Sequence, residues 1–398
     1  MTNELFGPVS APDEHVRELA REHHLRLTKP TGALGRLEEL GVWVSACQGE
    51  CPPRALDDCR VIVFAGDHGI ARHGVSAYPA EVSIQMHANI VAGGAGVNAI
   101  ASTHGASVRS VDISLDHDVP ADGAGADSKD ARYRVRRASG SIDREDAMSD
   151  EEVRRALEIG IRLADEAVDE GADLLIAGDL GIGNTTISAT LIGAATGSEP
   201  VTVVGRGTGI DDEGWKRKTA AVRDAMFRVR RLRNDPVEVL RRASSPDIAA
   251  MAAFLAQAAV RRTPVILDGA VVTSAALFAD QLAPGARAWW VAGHRSAEPA
   301  HAIALKHLGL EPLLDYGMRL GEGSGAVAAL PMVKAAVSIL RDMSTFDSAG
   351  VSDKGSDSGT PAREPASSAA EAGADATVPS PGDRPGHREG GEQPSQRD

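Results

Sequence analysis

The chain reads as an α/β protein built on a parallel sheet, and three observations predict that class. Short, almost wholly apolar runs (Val61–Ala65, Asp173–Ala177, Val265–Leu267 and Trp289–Ala292) are bounded by turn residues. Strands covered on both faces have this composition, whereas half-exposed strands alternate apolar and polar residues. Helical patterns stand between the runs, which gives βαβ units. Several runs also end in glycine-rich loops, Gly66-Asp67-His68-Gly69 and Gly178-Asp179-Leu180-Gly181 among them. Open parallel sheets bind ligands at that end of their strands. The expected architecture is a three-layer α/β/α, Rossmann-like parallel sheet with a small helical subdomain.

Taken in order, residues 12–47 form two helices, Asp13–Leu27 and Leu34–Cys47, broken by Thr28-Lys29-Pro30-Thr31-Gly32. After the strand Val61–Ala65 come helical stretches near 80–92 and 95–104, and a second strand near Ser107–Val111. The Asp-, Gly- and Ala-rich segment 114–131 reads as a loop. Ser149 and Glu152 form a capping box. It opens a helix with Val153, Leu157, Ile161 and Val168 on one face. Strand Asp173–Ala177 follows, then three strand–helix pairs: Val201–Val204 with a helix from Asp212, Val265–Leu267 with one from Ala270, and Trp289–Ala292 with one from Ala297. A last helix spans Ala326–Met343, with Pro331 tolerated near its first turns. Residues 1–48 and 324–346 are expected to supply the helical subdomain and 49–323 the catalytic body. The Ser/Gly/Ala/Pro-rich acidic tail 347–398 holds hardly any large apolar residue. It cannot bury enough surface to offset chain entropy and is expected to be disordered.

Composition narrows the function. A net charge of −14 argues against nucleic acid or an anionic membrane as the main partner. Aromatic residues make up only 3%, so Ala, Val, Ile and Leu must build the core. No apolar run approaches the ~20 residues of a membrane span. Cys47, Cys51 and Cys59 lie close together but lack a fourth ligand, so zinc is not expected. An odd cysteine count without a secretory leader fits a reducing cytoplasm.

The densest chemical signal is Met318-Arg319-Leu320-Gly321-Glu322-Gly323-Ser324-Gly325. It sets one carboxylate among glycines, where a substrate can press against the main chain. Lost water raises such a carboxylate's pKa, which makes Glu322 a candidate general base. Gly178–Thr186 reads as a phosphate cradle: a glycine-rich turn with Asn184, Thr185 and Thr186 at a helix start. It is neither a Walker A loop nor a dinucleotide fingerprint. Gly205–Asp212 precedes a helix with Lys216, Arg217 and Lys218, and a lysine there can add charge to a phosphate site. Asp67-His68-Gly69 with His73 is not a metal-ligand pattern, and structural hydrogen bonding at a strand end is expected of it. Ile266-Leu267-Asp268-Gly269 lacks the paired acids and Thr-Gly-Gly-Thr turn of common pyrophosphate–sugar loops, so a magnesium–diphosphate substrate is not expected.

These segments, in this order, resemble the nicotinate-nucleotide–dimethylbenzimidazole phosphoribosyltransferases. The matching residues run from Lys29-Pro30-Thr31-Gly32-Ala33-Leu34-Gly35-Arg36-Leu37-Glu38 through Ala65–Gly69 and Gly74–Pro79 to Gly181–Thr186. They continue with Leu267-Asp268-Gly269, His294 with Ser296-Ala297-Glu298, and Met318–Gly325, so that the likeness spans about residues 10–343. The resemblance implies transfer of phosphoribose from nicotinate mononucleotide to dimethylbenzimidazole, a step in making the lower-ligand nucleotide of cobalamin. It implies no metal or cofactor, and a homodimer. Glu322 matches the family's catalytic base. Gly181, Gly183, Asn184, Thr185 and Lys218 match its phosphate binders, and Asp268 and Ser296, in matching segments, are expected to bind substrate as well. Tyr78, Gln85, Met86 and Leu320 are the expected walls of the benzimidazole slot. Asp179 departs from the pattern: the family often has glutamate there, and Asp reaches about one methylene less far toward the ribose or nicotinate. Two other readings are a related transferase acting on another base, and a nucleotide- or azole-binding protein without catalysis.

Overall fold

A computed structural model describes residues 5–118 and 131–352. Most of the expected 114–131 loop, and the tail from 353 onward, lie outside the described residues. The chain order is α1 (Glu14–Arg26), α2 (Arg36–Gln48), β1 (Cys59–Gly66), α3 (Val82–Val91), α4 (Gly96–His104), β2 (Ala106–Ser114), α5 (Asp150–Asp169) and β3 (Leu174–Leu180). There follow α6 (Asn184–Thr196), α7 (Pro200–Val203), α8 (Asp212–Val229), α9 (Pro236–Ala243), α10 (Pro246–Val260), β4 (Val265–Leu267) and α11 (Ala270–Leu282). The last elements are β5 (Trp290–His294), α12 (Pro299–Leu308), β6 (Pro312–Leu314), α13 (Ser324–Asp342) and a single turn, α14 (Phe346–Ala349).

Six strands form one sheet in the order β2-β1-β3-β4-β5-β6, and every pairing is parallel. The chain leaves β1 toward one edge and β3 toward the other. Right-handed crossovers therefore put the helices on both faces. On one side α5, α10, α11 and α12 pack in succession, and on the other α13 packs on α4 and α2. With few aromatics, close backbone approach does much of the packing. A Cβ on Gly160 of α5 would stand 1.9 Å from the Ala250 carbonyl of α10, so only glycine lets those helices meet. Phe64 and Phe254 make an edge-to-face contact at 5.4 Å between β1 and α10.

The helices α1, α2 and α13 pack together, and Thr28 donates its N–H to the Ser344 carbonyl at 3.0 Å, closing the two ends of the described chain on each other. The Trp43 indole of α2 donates to the Ala288 carbonyl at 3.1 Å and ties this group to the sheet. The helix Ser324–Asp342 has the length and apolar composition to cross a membrane, but its apolar residues are largely buried within the fold. The capping box forms as expected, with Ser149 Oγ accepting the Glu152 N–H at 3.2 Å.

The pattern misplaces one strand and passes over others. Val201–Val204 forms the short helix α7, not a strand. Pro200 stands at its first turn and has no N–H for a ladder, while β4 already fills the place beside β3. Helix α10 is buried all round, so no amphipathic period marks it. Strand β6 has three residues, begins with proline and lies at the sheet edge, where neither signal is strong.

Candidate active site

Strands β1 and β3 adjoin, yet their chains depart in opposite directions, which opens a crevice at their carboxyl ends. A cleft of about 400 Å3 lies there, lined by Tyr78, Met86, Asp179, Asn184, Leu320 and Glu322 among others. A second cavity of about 400 Å3, between Gln48, Arg54, Asp173 and Arg262, sits at the opposite ends of the strands and has no cluster of glycine loops.

Glu322 occupies the cleft floor. Its backbone is left-handed, with φ of 63°, one of three described non-glycine residues with positive φ. That conformation costs a residue with a Cβ about 1–3 kcal/mol, a strain that surrounding contacts must hold. The Glu322 N–H donates to the Asp179 carbonyl at 3.1 Å. Gly178 makes the approach possible, because a Cβ there would stand 2.4 Å from the Glu322 carbonyl group. The side chain is 3% exposed, and its Oε2 accepts one long N–H bond from Val97 at 3.4 Å. Burial raises the Glu322 carboxyl above the usual range against the Val97 bond, and the charge of Asp268 adds to the rise. A carboxylate so raised is a stronger base than one in water and is placed to take a proton.

Asp179, at the end of β3, faces the same space. Burial first, then Asp268's charge, pushes it up to about 8 against the Asn184 hydrogen bond, with Asp247 and Glu322 adding to the rise. Asn184 Nδ2 donates to Asp179 Oδ2 at 2.5 Å. A carboxyl pushed up to about 8 favours its protonated form, with an O–H, at neutral pH.

Beyond β3 the loop Gly181-Ile182-Gly183 leads into the N-terminus of α6. A Cβ on Gly181 would stand 1.9 Å from the Gly66 carbonyl, so the loop lies directly on the end of β1. Two side chains fix it. Ser83 Oγ accepts the Ile182 N–H at 3.0 Å, and His68 Nδ1 donates to the Ile182 carbonyl at 3.0 Å. His68 Nε2 is 3.2 Å from Asp247 Oδ2. Burial opposes charge on His68, but Asp247's charge and hydrogen bond, the Ile182 carbonyl and Asp67 outweigh it, so its pKa is raised. The expected strand-end hydrogen bonding of this histidine is what the structure shows. Behind the loop, Lys218 of α8 is 1% exposed and its Nζ donates to Thr185 Oγ1 at 2.8 Å. Burial brings Lys218 down to about 8 against the charge of Glu298. A glycine-rich turn, a helix N-terminus, the polar side chains of Asn184 and Thr185 and a buried lysine are gathered here, a set that suits an anion.

The side of the cleft formed by β5 is held by histidines. The Ser296 N–H donates to His301 Nδ1 at 2.9 Å, and His301 Nε2 stands 3.0 Å from Thr273 Oγ1. Burial, with His294 adding, lowers His301 to about 3 against Asp268, so it is neutral and accepts through Nδ1. Ser296 lines the cleft. So does His294, whose buried ring nitrogens have no hydrogen-bond partner, Nε2 standing 3.3 Å from Asp268 Oδ1.

The structure brings most of the sequence-derived candidates together. Glu322, Asp179, Gly181, Gly183, Asn184, Thr185, Ser296, Tyr78, Met86 and Leu320 all line the one cleft. Lys218 stands one layer behind it, on Thr185. Gln85 is exposed on α3 and is not among the lining residues. Asp268 is fully buried and does not line the cleft either: its oxygens are taken up by backbone N–H groups of Gly323, Gly325 and Ala326. Sequence reasoning quoted Glu298 and Arg319 within its segments but gave them no role: Glu298 Oε1 accepts the Gly207 N–H at 3.0 Å, and Arg319 Nη1 donates to the Gly207 carbonyl at 2.6 Å. Each lies beside a residue that was singled out, but only the fold shows that both reach the Gly205–Asp212 loop.

A switch-point cleft with a buried carboxylate facing an anion cradle is the arrangement of an enzyme that moves a phosphorylated sugar. A family model described as Phosphoribosyltransferase matches residues 9–351, which fixes that class. A relative from Corynebacterium efficiens, named nicotinate-nucleotide–dimethylbenzimidazole phosphoribosyltransferase, is 64% identical over 348 residues, 87% of this chain and 92% of the relative. One of the same name from Mycolicibacterium paratuberculosis is 61% identical, covering 87% of this chain and 98% of its own. The chain belongs to the nicotinate-nucleotide–dimethylbenzimidazole phosphoribosyltransferase family. It is also similar to the crystal structure of CobT from Thermus thermophilus, with a TM-score of 0.80 and 42% identity over 85% of this chain and 99% of that one.

Proposed function

We propose that the chain transfers the 5-phosphoribosyl group of nicotinate mononucleotide to 5,6-dimethylbenzimidazole, releasing nicotinate and forming α-ribazole 5'-phosphate for the nucleotide loop of cobalamin. The observation that carries this reading is the buried Glu322 carboxylate, raised in pKa, in the same cleft as the Gly181–Thr185 cradle. The phosphate is placed on the cradle with Lys218 beneath it. The azole lies against Tyr78, Met86 and Leu320, with one ring nitrogen toward the anomeric carbon and the other toward Glu322. The first nitrogen's lone pair forms the new bond to the anomeric carbon. The bond to the pyridinium nitrogen breaks, its electron pair neutralises that ring, and nicotinate leaves. The proton on the second azole nitrogen passes to Glu322. Attack opposite the leaving group inverts the β-riboside to the α-riboside. General-base help of this kind contributes about 10²–10⁴ in rate, and alignment of the two rings over the sugar supplies much of the rest. Asp179, protonated at neutral pH, offers a hydrogen-bond donor to the ribose or to the nicotinate carboxylate.

The test is the purified protein with both substrates, followed by chromatography for ribazole phosphate; nucleotide binding without product would favour the non-catalytic reading. A pyridinium leaves without help from a metal, so turnover is expected to be unchanged in excess chelator. Lys218 supplies another check. At pH 8 it is about half neutral in the empty cleft, and a bound phosphate favours its charged form. Binding of nicotinate mononucleotide at pH 8 is therefore expected to take up a proton, seen as a buffer-dependent binding enthalpy; no dependence on buffer would remove Lys218 from the phosphate site.

We also place the protein in a reducing cytoplasm, as a homodimer. Three free cysteines, two of them buried, support the compartment, and the exposed Tyr316, outside the cleft lining, offers apolar surface for a second copy. Size-exclusion chromatography with light scattering would test the dimer.

A further inference from the structure

Asp268 follows the last residue of β4 and is 0% exposed. Its Oδ1 accepts N–H bonds from Gly325 at 2.8 Å and Ala326 at 3.0 Å, and its Oδ2 accepts one from Gly323 at 3.2 Å. These are the residues that follow Glu322 and open α13. Three donors from a single loop converge on one carboxylate, His294 Nε2 stands 3.3 Å from Oδ1, and the helix N-terminus adds a favourable dipole. Substrate cannot reach an oxygen so enclosed. On the other side, Glu322 donates its own N–H to the Asp179 carbonyl at 3.1 Å. Glu322 is thus a strained residue suspended between the end of β3 and the end of β4.

We infer that Asp268 is a positioning residue: by gripping the amides of Gly323, Gly325 and Ala326, it holds Glu322 in its left-handed conformation with the carboxylate aimed into the cleft. The inference rests on Glu322 being the general base. It assigns to Asp268 no contact with either substrate. Asparagine at 268 keeps the shape but presents an NH2 group where one oxygen stood, so at least one of the three N–H groups meets a donor in place of an acceptor. The grip is then lost at one point and Glu322 is free to drift. The substitution also removes a charge that faces Glu322. The titratable groups around Glu322 are Asp268 beyond β4, Asp179 on β3, His294 on β5 and Arg319 on its own loop, with the Val97 amide of α4 as its one donor.

The experiment uses the full chain and its Asp268→Asn, Glu322→Gln and double variants, assayed with nicotinate mononucleotide and dimethylbenzimidazole across pH. Asp268→Asn is expected to lower kcat by about 10²-fold, the cost of a misplaced reacting group. The KM for nicotinate mononucleotide should stay within about threefold, because no substrate contact is lost. The acid limb of kcat should move to lower pH, since a like charge near Glu322 has gone. In the Glu322→Gln background the same change should cost less than about threefold, because both act through one carboxylate. A kcat within about threefold of the parent, an unmoved acid limb, or a full further loss in the Glu322→Gln background would each overturn the inference. If Glu322→Gln alone keeps its activity, the general-base reading fails first, and that result is distinct. Should Asp268→Asn fail to fold, amide hydrogen exchange of the unaltered protein decides: the amides of Gly323, Gly325 and Ala326 are expected to be strongly protected, and exchange at the rate of open loop amides would refute the grip.

Discussion

Replacing Glu322 by glutamine is expected to lower kcat by about 10²–10⁴-fold while nicotinate mononucleotide still binds. Glutamine has nearly the volume of glutamate and can keep the Val97 N–H bond through its carbonyl oxygen. What it cannot do is accept a proton from the azole at any working pH. The fold should not suffer, because burial disfavours charge at this site and the neutral amide removes that penalty. The parent's kcat should fall as pH drops through the raised pKa of Glu322, since only the ionised form is a base. That acid limb should vanish in the variant's residual activity. Steady-state kinetics, calorimetric binding of the nucleotide and a thermal melt check the three parts separately. Activity near that of the parent would remove the general-base assignment.

Lys218→Met is expected to raise stability and to remove affinity. Losing a charge-assisted hydrogen bond to phosphate is worth about 1.5–3 kcal/mol, which raises the KM for nicotinate mononucleotide roughly 10–200-fold. The folded protein, by contrast, should gain. Lys218 falls from 10.5 to about 8, so its charged form is disfavoured in the fold. For a lysine with a depressed folded pKa, the penalty is fully present below about pH 8 and fades as pH rises toward 10.5. Its size at neutral pH is about 3 kcal/mol as an order of magnitude. Methionine avoids that penalty and fills similar space, so the melting temperature should rise while affinity falls. A variant with unchanged KM would take the phosphate site away from Lys218.

The sheet was legible because doubly covered strands are written as apolar runs, and four of the six observed strands carry such a run, while a fifth, β2, was expected near Ser107–Val111. The sixth, Pro312–Leu314, is too short and too near the edge to announce itself. Val201–Val204 has the composition of a strand but not the room, and composition alone cannot report that the place is taken. The cleft was legible for a different reason. Glycines at 178 and 181 mark places where backbone meets backbone, and the chemistry stands beside them. Asp268 shows the limit of that reading. Its segment pointed to substrate, yet its carboxylate is spent on three amides that are distant in sequence. The contacts of Glu298 and Arg319 were invisible for the same cause, since each acts across loops that only folding brings together.

The central claim is that Glu322 and the Gly181–Thr185 cradle serve one reaction from the two ends of one cleft. A crystal structure with nicotinate mononucleotide bound and dimethylbenzimidazole soaked in measures this directly. The expected result is an azole ring nitrogen about 2.6–3.2 Å from a Glu322 carboxylate oxygen, with the phosphate on the first-turn amides of α6 beside Lys218. An azole held elsewhere in the cleft, with neither ring nitrogen in reach of Glu322, would contradict it.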